Sequence, residues 1–217
     1  GVAESTRLIE YKGEKLEKCS ITTEAQANTI AGDLRSKEYR VASLEEKEVR
    51  RHPAPPFTTS TLQQEAARKL GFGAKRTMQV AQKLYEDGNI TYMRTDSVSI
   101  SQDALGSVRG YIEKSFGKPY LPDAPRAYKS KSTNAQEAHE AIRPTDIANN
   151  PNGMGLEGDQ AKLYELIWKR LLASQMESAL FDQLIVDIAS GDKQAVLRAS
   201  GSVIKFDGFL KLYQEGK

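Results

Sequence analysis

The stretch Ile90-Thr91-Tyr92-Met93-Arg94-Thr95-Asp96-Ser97 places a tyrosine hydroxyl two residues from an arginine, directly after the helix-stopping pair Asp87-Gly88. If the stretch is extended, Tyr92 and Arg94 project from one face, because side chains along a strand alternate with period two. A guanidinium holds charged oxygens in a planar two-donor fork, and a phenolic oxygen can become covalently bonded to phosphorus. The spacing alone would also suit an exposed strand pair, so the weight falls on a second string downstream, Ala138-His139-Glu140-Ala141-Ile142-Arg143-Pro144-Thr145. Residues 135–142 form a helix-prone run ended by Pro144. His139 and Arg143, four apart, would then share a helical face suited to a backbone phosphate. A zinc-binding His-Glu-x-x-His is excluded, because the fifth position is Arg143. Residues alone leave open a plainer reading, a helix-end histidine among side chains paired to Glu137 or Glu140.

Working outward, residues 74–87 read as an amphipathic helix through Thr77, Val80, Ala81, Leu84 and Tyr85. Ser60-Thr61-Leu62-Gln63 has the spelling of a capping box, with Gly71 as the matching C-terminal cap. Ser99 with Gln102 opens a further helix ending at Phe116-Gly117. Residues 160–176 form another, with Leu163, Ile167, Leu171 and Trp168 as core. Before these helices, residues 7–11 and 16–21 read as strands about a Gly13 turn. Thr23-Glu24-Ala25-Gln26 caps a helix burying Ala27, Ile30, Ala31 and Leu34, and residues 39–50 read as a long strand. Pro53-Ala54-Pro55-Pro56 is expected to be a stiff linker and a domain boundary. The tail returns to strands at 184–189, 195–199 and 203–206, broken at Gly191-Asp192 and Gly201. Short strands at both ends are marginal alone but sensible as one sheet. The expectation is therefore a multidomain α+β protein: a β-rich domain (1–52 and 180–217) interrupted by an inserted all-helical domain (53–179).

With 39% hydrophobic and 28% charged residues the chain is an ordinary globular one, neither disordered nor fibrous. No apolar run nears the ~18 residues of a membrane span, and no signal-peptide pattern opens it. The chain starts at Gly1 without methionine, which reads as an excised piece of something longer. A single cysteine, Cys19, excludes an internal disulfide and fits a reducing compartment. It reads as a small residue in a strand. Net charge is only +2, so a nucleic-acid surface would have to come from local asymmetry. The loop 118–131, with Lys118, Arg126, Lys129 and Lys131 against Asp123, is the candidate. No Gly-Lys-Ser/Thr phosphate loop is present, so no nucleotide hydrolysis is expected.

The two strings, in this order, closely resemble the nucleophile region of type IA DNA topoisomerases, nearest to their bacterial topoisomerase I branch. The topoisomerase III branch tends to carry proline at the position of Met93 and to differ around Glu140. The resemblance implies a β-rich arch carrying a helical domain with the catalytic tyrosine, together acting as a DNA gate. Tyr92 would attack one DNA strand and hold its 5′ phosphate, another strand would pass, and religation would remove negative supercoils without ATP. Arg94 would stabilise the charge developing on phosphorus, and His139 and Arg143 would contact DNA phosphates. Thr95, Asp96 and Ser97 read as turn and capping residues, with Asp96 alternatively orienting Arg94. The family's metal-binding domain brings an Asp-x-Asp cluster, a glutamate and a lysine, whereas no Asp-x-Asp occurs in this sequence. Magnesium would then be held by a domain outside these residues, and this piece alone would not relax DNA. Implied partners are single-stranded or negatively supercoiled DNA and the remaining domains of the same polypeptide, with no membrane. The implied location is the cytoplasm, at the nucleoid. The rival reading, a non-catalytic DNA-binding helical module, leaves the Tyr92–Arg94 string unexplained.

Overall fold

The computed structural model describes residues 5–129 and 140–214. The chain divides into two compact units, a sheet unit of residues up to Arg51 with Leu180–Phe206, and a helical unit of His52–Ala179 with residues from Asp207 onward.

The sheet unit contains β1 (Ser5–Tyr11), β2 (Glu14–Lys15), α1 (Glu24–Arg35), β3 (Tyr39–Arg51), β4 (Ala179–Ser190) and β5 (Ala195–Phe206), in the sheet order β2-β1-β5-β4-β3. β1 and β2 meet at Glu10↔Lys15 and Tyr11↔Glu14 around a two-residue turn, Lys12 at φ 51° and Gly13 at φ 83°. Positive φ at both centres is the primed turn that matches strand twist, and glycine adopts it without strain. The expected strand at 16–21 does not form: pairing stops at Lys15, and Cys19 lies exposed in a turn rather than in a strand. α1 opens as its spelling predicts, with the Thr23 hydroxyl accepting from the Gln26 N–H at 3.2 Å. Ile30 is its buried residue, whereas Ala27 is exposed. The tail is two strands, not three. Gly201 sits inside β5 opposite Leu184, because an antiparallel ladder from Leu180↔Phe206 to Ala189↔Val196 outweighs one glycine's weak strand preference.

The helical unit holds α2 (Thr59–Leu70), α3 (Ala74–Glu86), α4 (Gln102–Phe116), α5 (Gly158–Ser174) and short 3₁₀ turns. α5 is its axis: Leu163, Tyr164, Ile167 and Leu172 are fully buried. Trp168 donates its indole N–H to the Ile147 carbonyl at 3.0 Å and meets Tyr111 edge-on. Among the described residues, the buried apolar side chains fall almost entirely in this unit; only Ile30, Phe181 and Ala195 belong to the sheet unit.

Three local expectations shift. α2 is capped by Thr58 paired with Thr61, not by Ser60 with Gln63, while Gly71 closes it at φ 68° as read. α4 starts from Ser101, not Ser99. The prolines form no solvated linker: Pro53 and Pro56 are buried, Tyr128 donates to the Pro53 carbonyl at 3.1 Å, and Arg170 donates to the Pro55 carbonyl at 2.7 Å. Residues 207–214, expected with the sheet, belong to the helical unit. There Gly208 approaches the Glu177 and Ser178 carbonyls so closely that a Cβ would lie 2.5 Å from each.

Candidate active site

The Tyr92 stretch follows α3, whose end at Asp87-Gly88 is closed by the Gly88 N–H donating to Tyr85 at 2.9 Å. Ile90 pairs antiparallel with Pro144, and Ile142 pairs antiparallel with Phe57. Beyond these bridges the segment is irregular backbone, bending at Thr91 and Met93, and belongs to no strand. Exposure alternates as the sequence implied: Met93 is 1% exposed, whereas Tyr92 and Arg94 on either side of it are exposed, Tyr92 by 47%. Burying Met93 turns its two neighbours outward.

Two threonines hold the backbone. Thr91 donates its N–H to the Arg143 carbonyl at 2.9 Å and its hydroxyl to the Ala141 carbonyl at 2.7 Å, while accepting from the Arg143 N–H at 3.0 Å. Thr59, first residue of α2, donates its hydroxyl to the Met93 carbonyl at 2.7 Å and accepts from the Thr95 N–H at 2.9 Å. Neither threonine carries a local sign in the sequence of a partner more than thirty residues away.

The Tyr92 ring meets Tyr85 of α3 edge-to-face, with centroids 5.2 Å apart, and both rings are exposed. Arg94 lines an open hollow of about 460 Å³ with Thr59, Ser60, Thr95 and Asp96. No described residue pairs with Arg94, so the alternative role for Asp96, orienting that guanidinium, is not what the structure shows. Thr95 and Ser97 are turn residues as read, their hydroxyls accepting from the Ser97 and Ser99 N–H groups at 3.0 and 3.1 Å. The start of α2 lines the same hollow, so its partial positive charge adds to that of Arg94. The Asp96 carboxylate lines the hollow as well, so the hollow offers one cation and one anion side by side. By contrast, burial pushes the Tyr128 and Tyr164 phenols up to about 12 and raises Tyr213 as well, which argues against those hydroxyls as nucleophiles.

The second string is placed differently from its expectation. His139 lies outside the described residues. From Glu140 to Thr145 no helix is present: Ile142 and Pro144 make β-bridges, because proline and the pairing with Phe57 and Ile90 favour extended backbone. Arg143 is no open cation, its side chain being 12% exposed. It grips Glu140 through Nε and Nη2 at 3.2 and 2.8 Å and donates to the Pro144 carbonyl at 3.0 Å. Glu140 also accepts from the Ser101 N–H at 2.6 Å, so this knot ties the start of α4 to the string that holds Thr91. In the basic loop, Arg126 is likewise engaged, donating to the Met176 carbonyl and to Glu177 and Ser178. Lys131 lies outside the described residues.

Among the described residues, no three His, Cys, Asp or Glu side chains converge as a metal site would require. No helix of the described residues is long and apolar enough to cross a membrane.

Comparison with known proteins gives this geometry its context. A family model described as DNA topoisomerase matches residues 3–217. The chain is 51% identical to DNA topoisomerase 1 of Rickettsia felis, over 97% of this chain and 28% of that protein. It is 53% identical to DNA topoisomerase 1 of Zymomonas mobilis, over 97% of this chain and 17% of that protein. The chain thus spans less than a third of the length of these relatives. Among solved structures, full-length topoisomerase I from Thermotoga maritima superposes with a TM-score of 0.73 at 36% identity, covering 88% of this chain and 34% of that one. With the family matched across nearly every residue and relatives about half identical along it, the chain belongs to the DNA topoisomerase family, on its bacterial type IA topoisomerase I branch.

Proposed function

We propose that Tyr92 is the nucleophile of a single-strand DNA cleavage and religation reaction that relaxes negative supercoils. The observation that carries this reading is the pair of exposed side chains, Tyr92 and Arg94, turned outward by buried Met93 with the guanidinium unpaired among the described residues. Tyr92 Oη bonds to a backbone phosphorus, the bond from phosphorus to the 3′ oxygen breaks, and the proton of the phenol ends on the released 3′ hydroxyl. The 5′ phosphate stays on tyrosine, a second strand passes, and the 3′ hydroxyl reverses the step. Because the phosphotyrosine conserves the energy of the broken bond, no ATP is required.

Arg94 is the two-donor stabiliser of charge growing on the phosphate oxygens. Positive charge at the phosphate stabilises the charge that develops there as the phenol attacks. On the family resemblance His139 contacts a DNA phosphate. Arg143 serves mainly by holding Glu140 and the string beside Thr91, with its remaining donor toward DNA. The sheet unit is the β-rich arch and the helical unit the inserted domain that carries the tyrosine. Magnesium belongs to residues outside this stretch, and no step here is routed through it. The intact protein acts in the cytoplasm on nucleoid DNA, together with the other domains of its polypeptide. Alone, the 217-residue chain binds single strands weakly, with an affinity that falls as salt rises, and does not relax plasmid.

The test is Tyr92→Phe in the full-length polypeptide. Covalent trapping on single-stranded DNA should vanish while folding and non-covalent binding persist. A phosphotyrosine adduct in that variant would refute the assignment.

A further inference from the structure

The loop that bears the proposed nucleophile has no regular secondary structure between Thr91 and Ser101, yet cleavage demands that Tyr92 and Arg94 be held to a fraction of an ångström. The side chain that answers this demand on the Arg94 side is Thr59. Its single hydroxyl proton goes to the Met93 carbonyl at 2.7 Å, with the Thr95 carbonyl a longer alternative at 3.1 Å. A lone pair of the same oxygen accepts from the Thr95 N–H at 2.9 Å, and the Thr59 N–H donates back to the Thr95 carbonyl at 2.9 Å. These bonds hold the two peptide groups that flank Arg94, the nearer of them one residue beyond Tyr92.

The hydroxyl is not needed to build α2. Capping is done one residue earlier, where Thr58 and Thr61 exchange side-chain and backbone bonds. Leu62 and Ala66, both fully buried, anchor the helix. Every bond the Thr59 side chain makes in the structure therefore points away from its own helix and into the loop. We propose that Thr59 is a positioning residue for strand cleavage: it registers the loop carrying Tyr92 and Arg94 against the rigid first turn of α2 without itself reacting. This rests on the reading of Tyr92 as nucleophile and adds the element that sets its geometry.

The experiment compares Thr59→Val, Thr59→Ser and Tyr92→Phe in the full-length polypeptide. Single-turnover adduct formation is followed on a single-stranded oligonucleotide with a 3′ fluorophore, alongside its dissociation constant and the thermal midpoint. Valine keeps the branched shape and removes the hydroxyl. The expected result is an adduct rate at saturating DNA about 10- to 100-fold lower, as for a displacement of about 1 Å, with the dissociation constant unchanged. Serine, which retains the hydroxyl, should restore most of the rate. A folded valine variant at the wild-type rate overturns the proposal. So does a folded serine variant as slow as valine, which also decides the matter should valine compromise folding. An adduct persisting in Tyr92→Phe would instead refute the underlying functional reading, so the two failures are distinct.

Discussion

Replacing Arg94 by lysine separates charge from geometry at the proposed site. Arg94 is exposed and pairs with no described residue, so its loss removes no folding contact, and stability should stay within about 0.5 kcal/mol of wild type. Lysine keeps the positive charge in the hollow beside Thr59 and Ser60 but offers a point ammonium where the guanidinium presents a planar fork. Losing one oriented donor to a developing oxyanion costs on the order of 2–4 kcal/mol. That converts to about 30- to 1,000-fold in rate. Cleavage and religation share one transition state, so an interaction made only there slows both equally and leaves the equilibrium fraction of adduct unchanged. The assay is quenched-flow cleavage and religation of a short single strand by the full-length polypeptide, with thermal unfolding as control. If Arg94→Lys reacts at the wild-type rate in both directions, Arg94 is a surface cation and the reasoning fails.

Further outcomes follow from the scaffold around the site. Gly208→Ala should lower the urea midpoint by more than the ~1–2 kcal/mol that left-handed backbone alone costs, because its Cβ would lie 2.5 Å from two backbone carbonyls. An unchanged midpoint would mean residues 207–214 are not packed as seen. Tyr213→Phe removes a buried hydroxyl that donates to Glu65 at 2.8 Å and accepts from Arg170 at 3.1 Å, and should cost about 1–3 kcal/mol of stability by chemical denaturation. Burial pushes the Glu140 carboxyl up, but the bonds from Arg143 and the Ser101 N–H outweigh it and hold the group below its ordinary 4.5. A depressed carboxylate contributes stability that is complete above the unfolded value and is lost as pH falls through the folded one. The deficit of Glu140→Gln against wild type, read as a thermal midpoint, should therefore be constant near neutrality and shrink below about pH 4.5. A deficit independent of pH would show that the Arg143–Glu140 pair is not what depresses the carboxyl.

What was legible in the sequence was local. Period-two spacing predicted that Tyr92 and Arg94 would point the same way, and the structure shows both exposed on either side of buried Met93. The apolar stripe of Leu163, Ile167 and Leu171 marked α5 as core, and the turn glycines at 13 and 71 sit where only an unhindered backbone is comfortable. Other features depended on contacts distant in sequence. The helix expected up to Ile142 gave way to extended backbone, because bridges to Phe57 and Ile90 supply hydrogen bonds that local propensity cannot foresee. The plainer reading of the second string, with side chains paired to Glu140, fits the Arg143–Glu140 contact, whereas Arg126 looked like a free cation and is held by Glu177, a partner far away in the sequence. The prolines at 53–56 looked like a stiff connection but are gripped by Tyr128 and Arg170. Thr59 carries the same lesson for the site itself. The sequence alone determined which side chains could do the chemistry. Only the tertiary structure decided what holds them, because the hydrogen bonds that position Tyr92 and Arg94 join residues more than thirty positions apart.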